Sequence, residues 1–236
     1  MTESIVKKQN NIRILIIHAH SNNRGDEAAV KAMVGEILNK YPDANITISM
    51  NGATPYPNMP ERVKQIPRFP VLQSKFAQIE FFIALFTNGK ISFSKHAREF
   101  LECVRNSDLV IHAPGGPSIG DTYFKAEKVY LWRLDLIRKM GKKYMFYAPS
   151  MGPFKNHKRD DMRRRVLSGA DKVLLRDPIS VKYLSEYMPE LNVEQALDSA
   201  LQFDIDGKAE QMVLDNYPEL KSFIEEHEKC IGITHN

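Results

Sequence analysis

The chain has 236 residues, with 33 Lys and Arg against 29 Asp and Glu, a formal net charge of +4. That excess is too small to mark a nucleic-acid binder, and 43% hydrophobic with 26% charged residues excludes a disordered or fibrous chain. No apolar run approaches the ~20 residues of a membrane-spanning helix; Met1–Asn11 is polar and lacks the apolar centre of a secretion signal. Two cysteines, Cys103 and Cys230, make no disulfide framework. A cytoplasmic protein is expected.

In chain order, Ile12–His18 is a near-continuous apolar run, as in a parallel strand buried on both faces. After a polar loop, Asp26–Lys40 carries helical spacing through Val30, Met33, Val34, Ile37 and Leu38. Ala44–Met50 reads as a second strand. Residues Asn51–Val71 contain five prolines, so no regular element is expected there. Leu72–Phe86 and Phe93–Arg105 read as helices, with Cys103 in the core. Strand and helix then alternate: strand Asp108–Ala113, helix Thr122–Met140, strand Lys143–Ala148, helix Asp160–Leu167, strand Lys172–Leu175. Asp177–Tyr187 is a helix with Asp177 as N-cap and Pro178 at its first position. Leu191–Gln195 is a strand, Glu219–Lys229 a helix and Cys230–Thr234 a final strand. The basic stretch Lys155–Arg165 reads first as a solvated helix face, with an anion-facing cluster as the alternative.

Strands separated by helices imply right-handed βαβ units. The fold class is therefore α/β, a doubly wound, Rossmann-like parallel sheet. Such sheets bind ligands beyond the carboxyl ends of their strands, so the loops there carry the chemistry. Asn23-Arg24-Gly25-Asp26 follows the first strand; Gly25 lets a ligand approach the backbone, and Asp26 either contacts ligand or caps the helix. Pro114-Gly115-Gly116-Pro117-Ser118-Ile119-Gly120-Asp121 offers the amides of Gly115 and Gly116 to an anion, and Ser118 and Asp121 to hydroxyls; the alternative is a tight turn capped by Asp121. Ser150-Met151-Gly152-Pro153 is a third such segment, read equally as a ligand loop or a turn. Arg176-Asp177-Pro178-Ile179-Ser180 is the fourth. Arg176 suits a carboxylate or phosphate, or else pairs internally with Asp121 or Asp198. His18 and His20 share a face if their strand continues, but no third ligand completes a metal site, and His112 reads as a packed strand residue. No metal and no cofactor is expected.

These four segments, in this order and followed by Asp198-Ser199-Ala200, resemble the polysaccharide pyruvyl transferase family. The resemblance implies two Rossmann-like domains arranged as in a GT-B glycosyltransferase. On that plan residues 1–11 are a disordered N-terminus, 12–206 the N-terminal domain, and 207–236 a linker helix and the first strand of a largely missing second domain. It implies transfer of pyruvate from phosphoenolpyruvate to a sugar of a cell-surface polysaccharide, as a ketal. The acceptor would be a glycan or a lipid-linked sugar, and an oligomer is compatible with the sequence. Asp26 and Asp121 are the implied catalytic residues, with Asn23, Gly25, Gly115, Gly116, Ser118, Ser150, Gly152, Arg176 and Ser180 binding substrate. The alternatives are a GT-B-like glycosyltransferase using a nucleotide sugar and a non-catalytic carbohydrate-binding domain.

Overall fold

A computed structural model describes residues 11–52, 54–202 and 214–227. The chain divides into two compact units, residues 1–202 and 203–236. In the second, Pro218–Glu226 forms a helix with proline in its first turn. The strand expected over Cys230–Thr234 lies outside the described residues.

In the first unit, β1 (Arg13–Ala19), β2 (Asn45–Met50), β3 (Lys64–Pro67), β4 (Leu109–His112), β6 (Tyr144–Tyr147), β8 (Lys172–Leu175) and β9 (Val193–Gln195) form one sheet. Their order is β3-β2-β1-β4-β6-β8-β9 and every pairing is parallel. The order reverses direction between β1 and β4, the switch point of a doubly wound sheet. The apolar run of β1 serves both faces, because successive side chains alternate. Ile14 and Ile16 join the core under helix α1 (Arg24–Lys40), which contributes Val30, Met33 and Val34. Leu15 and Ile17 join the core on the other face. That face is covered by α2 (Lys75–Phe86), α3 (Lys95–Asn106), α4 (Phe124–Lys139), α5 (Asp160–Ser168) and α6 (Pro178–Tyr187).

Three strands depart from the expected pattern. β3 forms inside the proline-rich segment expected to be irregular; it is an edge strand, where proline is tolerated. β5 (Gly115–Ile119) and β7 (Pro149–Met151) lie in two of the glycine-bearing segments and pair with each other, parallel, as a separate two-stranded sheet. Gly120 ends β5 at φ +125°, and a β-carbon there would come within 2.5 Å of the Gly152 backbone. The two glycine segments therefore touch backbone to backbone, which only glycine permits.

The basic stretch is not a solvated face at its key positions. Arg163 has a fully buried side chain, bonded through Nε to Glu127 at 2.7 Å and through a terminal nitrogen to Asp121 at 2.9 Å. Glu127, also fully buried, further accepts from Arg159 at 3.0 Å and from the Gly120 amide at 2.8 Å. A charge can be this deep only because nearly every lone pair has a donor.

Removing one member would strand the other in a dry interior. Glu127→Ala is expected to lose about 3–5 kcal/mol of unfolding free energy. Urea denaturation measures it, and a loss under about 1 kcal/mol would contradict the buried clasp described here.

Candidate functional site

At the switch point, the ends of β1 and β4 and the start of α4 enclose a cleft of about 380 Å³. β1 supplies His18 and His20, the β1–α1 loop Asn22, Asn23 and Asp26, β4 and β5 His112, Gly115, Gly116 and Ser118, and α4 Tyr130.

His18 reaches this cleft through an irregularity. The β1–β2 register shifts between Ile17 and Ala19, and His18 between them adopts φ +61°. A bulge re-aims a side chain at the cost of backbone strain. The ring is buried, edge-on to His112 at 4.7 Å and to Tyr130 at 4.5 Å, and neither ring nitrogen has a hydrogen-bond partner among the described residues. Burial first, then the neighbouring His112 and Arg133, hold its pKa well below the usual histidine range. It is a neutral imidazole with an unused donor and an unused acceptor.

His112 is both a packed strand residue and part of the cleft wall. Its Nδ1 lies 2.9 Å from the Ala113 carbonyl, which can only accept, so Nδ1 carries the proton. Nε2 then accepts from the Ser118 hydroxyl at 2.8 Å. Burial lowers its pKa to about 4.

His20 is fixed by a chain of side chains that begins at α4. Arg133 donates to Asn51 Oδ1 at 3.1 Å, so the Asn51 amide nitrogen faces His20 Nε2 at 3.1 Å and the Tyr130 oxygen at 3.2 Å. Tyr130 in turn donates to His20 Nε2 at 2.8 Å. Nε2 is thus an acceptor, and the ring proton is on Nδ1.

Asp26 is not the helix cap. Asn23 takes that role, accepting from the amides of Gly25 at 2.8 Å and Asp26 at 3.2 Å. The half-buried Asp26 carboxyl is left to face the second glycine segment, packed against Gly115. Gly115, at φ +147°, could carry no β-carbon without meeting Asp26 Oδ1 at 2.9 Å. Burial raises the pKa of Asp26, while His20, Arg176 and the Gly116 amide oppose the rise.

Asn23, Asp26, Gly115, Gly116 and Ser118 therefore line one cleft, with Gly25 following Asn23 at the start of α1. Ser150, Arg176 and Ser180 form a neighbouring network at the ends of β7 and β8. Arg176 bonds Ser150 at 2.8 Å and Asp198 at 2.7 Å, while Asp177 accepts from Ser150, from the Ser180 hydroxyl and, as N-cap, from the Ser180 amide. The internal partner of Arg176 is thus Asp198, not Asp121. Asp121 lies outside the cleft, bonded to Arg163 and to the amides of Lys155 and Asn156 at 2.6 and 2.9 Å. Burial raises its pKa, but these donors outweigh it and hold the carboxyl below the usual range. Gly152, at φ +92°, lies under the Tyr183 ring and next to Gly120. Asn51, Tyr130 and Arg133 were not expected at the site; the helical pattern of α4 hides which of its polar residues turn inward.

The model of the polysaccharide pyruvyl transferase family matches residues 23–232, most of the chain, and the protein belongs to that family. No individually curated protein matches it. Among the described residues no helix is long and apolar enough to cross a membrane.

The unfolded chain protonates His112 near the ordinary 6.5, the folded protein only near about 4. The unfolded state binds more protons between those values, so stability falls as pH drops through this window, by up to about 3 kcal/mol from His112. In NMR titration the His112 ring signals should stay fixed from about pH 8 to about pH 5. A midpoint near 6.5 would mean the Ser118–His112 pair is open to water.

Proposed function

We propose that this member of the polysaccharide pyruvyl transferase family holds a sugar of its polysaccharide acceptor in the switch-point cleft and transfers pyruvate to it from phosphoenolpyruvate as a ketal. The observation that carries the reading is Asp26, a half-buried carboxyl freed from capping and held against the Gly115–Gly116 backbone beside His20. A basic carboxylate in a rim of amides and neutral imidazoles can take a proton from a sugar hydroxyl.

In the first step the hydroxyl oxygen bonds to the central carbon of the enol phosphate, and the methylene carbon gains a proton and becomes methyl. In the second, the bond from the central carbon to the phosphate oxygen breaks, and a second hydroxyl of the same sugar bonds to that central carbon and closes the ring. Of the two hydroxyl protons, one balances the new methyl group and the other leaves with inorganic phosphate. Asp26 accepts the first hydroxyl proton. His18, with both nitrogens free, and Ser118 orient the sugar, and the Gly116 amide favours the ionised form of Asp26. Arg176, half-buried at the neighbouring strand ends and set by Ser150 and Asp198, is the anion contact for the donor. Asp121, already saturated by Arg163 and two amides, positions the glycine segment and is not assigned the acid–base role. The first unit, ending at residue 202, is the acceptor-binding domain in this reading.

Phosphate release from phosphoenolpyruvate in the presence of a glycan acceptor tests the proposal. Asp26→Asn is expected to lower kcat by about 10²–10⁴-fold with the fold unchanged. Turnover unaffected by Asp26→Asn would refute the assignment; nucleotide release from a nucleotide sugar would replace pyruvyl transfer with glycosyl transfer, and saturable glycan binding without turnover would make this a binding domain.

A further inference from the structure

A second pocket, about 440 Å³, opens on the other side of Tyr130 and Ala126, which line both cavities. Its floor is Arg133, on α4, and its rim carries Arg68 and Lys125. Arg133 is 3% exposed. Two of its nitrogens donate to neutral acceptors, Asn51 Oδ1 at 3.1 Å and the Phe69 carbonyl at 3.0 Å, while Nε is buried with no partner. No ion pair with Arg133, Arg68 or Lys125 occurs among the described residues.

This contrasts with Arg163, where the buried guanidinium meets two carboxylates. A guanidinium buried without a counter-ion is costly, and proteins keep such a charge where something else neutralises it. Burial, followed by repulsion from Arg68, lowers the Arg133 pKa to about 9, so the charge persists at neutral pH. The positive field extends to the neighbouring cleft: Arg68 and Arg133 also lower the pKa values of His18 and His20, against an opposing effect of Asp26 at His20. Much of the remaining wall is apolar, from Val71, Leu72, Ala126 and Val129, with Gln73 among them.

We propose that this pocket is a phosphate-binding subsite, with Arg133 and Arg68 as its anion contacts and Lys125 at its mouth. Guanidinium pairs match phosphate oxygens, and an apolar wall accommodates a phosphate ester carrying an apolar group. Two phosphates could use it: that of the donor, or the linkage of an acceptor sugar to a carrier. That a phosphate binds here is independent of Asp26 and of turnover; which of the two phosphates it is rests on the pyruvyl-transfer reading.

Isothermal titration of the full chain with inorganic pyrophosphate, phosphoenolpyruvate and farnesyl diphosphate tests it without reading turnover, so the two proposals fail separately. Pyrophosphate should bind, and Arg68→Gln should weaken it at least tenfold, with Arg133→Met weakening it further. If phosphoenolpyruvate binds and is lost in the same variants, the donor is the source. If farnesyl diphosphate binds more tightly than pyrophosphate, the acceptor linkage is. Arg133→Met removes a buried anchor, so the half-buried Arg68, which has no hydrogen bond or ion pair among the described residues, decides the matter should that variant misfold. Absence of pyrophosphate binding, or binding unchanged in Arg68→Gln, would overturn the proposal.

Discussion

The carboxylate of Glu127 organises the end of the molecule where the ligand loops meet. It lies one turn into α4, fully buried, and is tied to α5 by Arg163, to the preceding turn by Arg159, and to the end of β5 by the Gly120 amide. Arg163 extends the same clasp to Asp121 and to the Asn156 carbonyl. Each charge in it would be prohibitive alone, and each is tolerated because the others saturate it. The consequence is positional. With the first turn of α4 fixed against the glycine segments, Ala126, Tyr130 and Arg133 fall on the side facing the cavities.

The glycine segments are a second constraint of the same kind. A strand leaving a parallel sheet usually turns straight into a helix, but here β4 and β6 each continue into a short strand, β5 and β7. Pairing them gives the backbone amides of these segments partners that a plain loop would lack. It also brings Gly120 against Gly152 and sets Gly115 against Asp26, contacts that any side chain would block. The main sheet's switch point supplies an open crevice, and the small sheet walls it on one side.

Much of this was legible in the sequence. The buried strands and the helices between them announced a parallel sheet, because the two periodicities differ and β1 is apolar without interruption. What was hidden is short or long-range. β5 and β7 are too short and too rich in Gly and Pro to carry an alternating pattern, and β3 is an edge strand among prolines. Arg163 reads as one more charge on a basic helix because its partners Glu127 and Asp121 are 36 and 42 residues away. Asp26 reads equally as a cap until Asn23 is seen to take that position. His18 reads as a strand residue, and only the register shift beside it explains its turn into the cleft.

The hydrogen bonds from Arg133 to Asn51, from Asn51 to Tyr130, and from both Asn51 and Tyr130 to His20 link the floor of one cavity to the wall of the other. The direction of every donor in that chain follows from its first member, because a guanidinium can only donate. Asn51 must turn its oxygen to Arg133 and its nitrogen to the histidine, and His20 must keep its proton on Nδ1. One network of side chains thus fixes both the floor of one cavity and the proton-bearing face of His20 in the wall of the other.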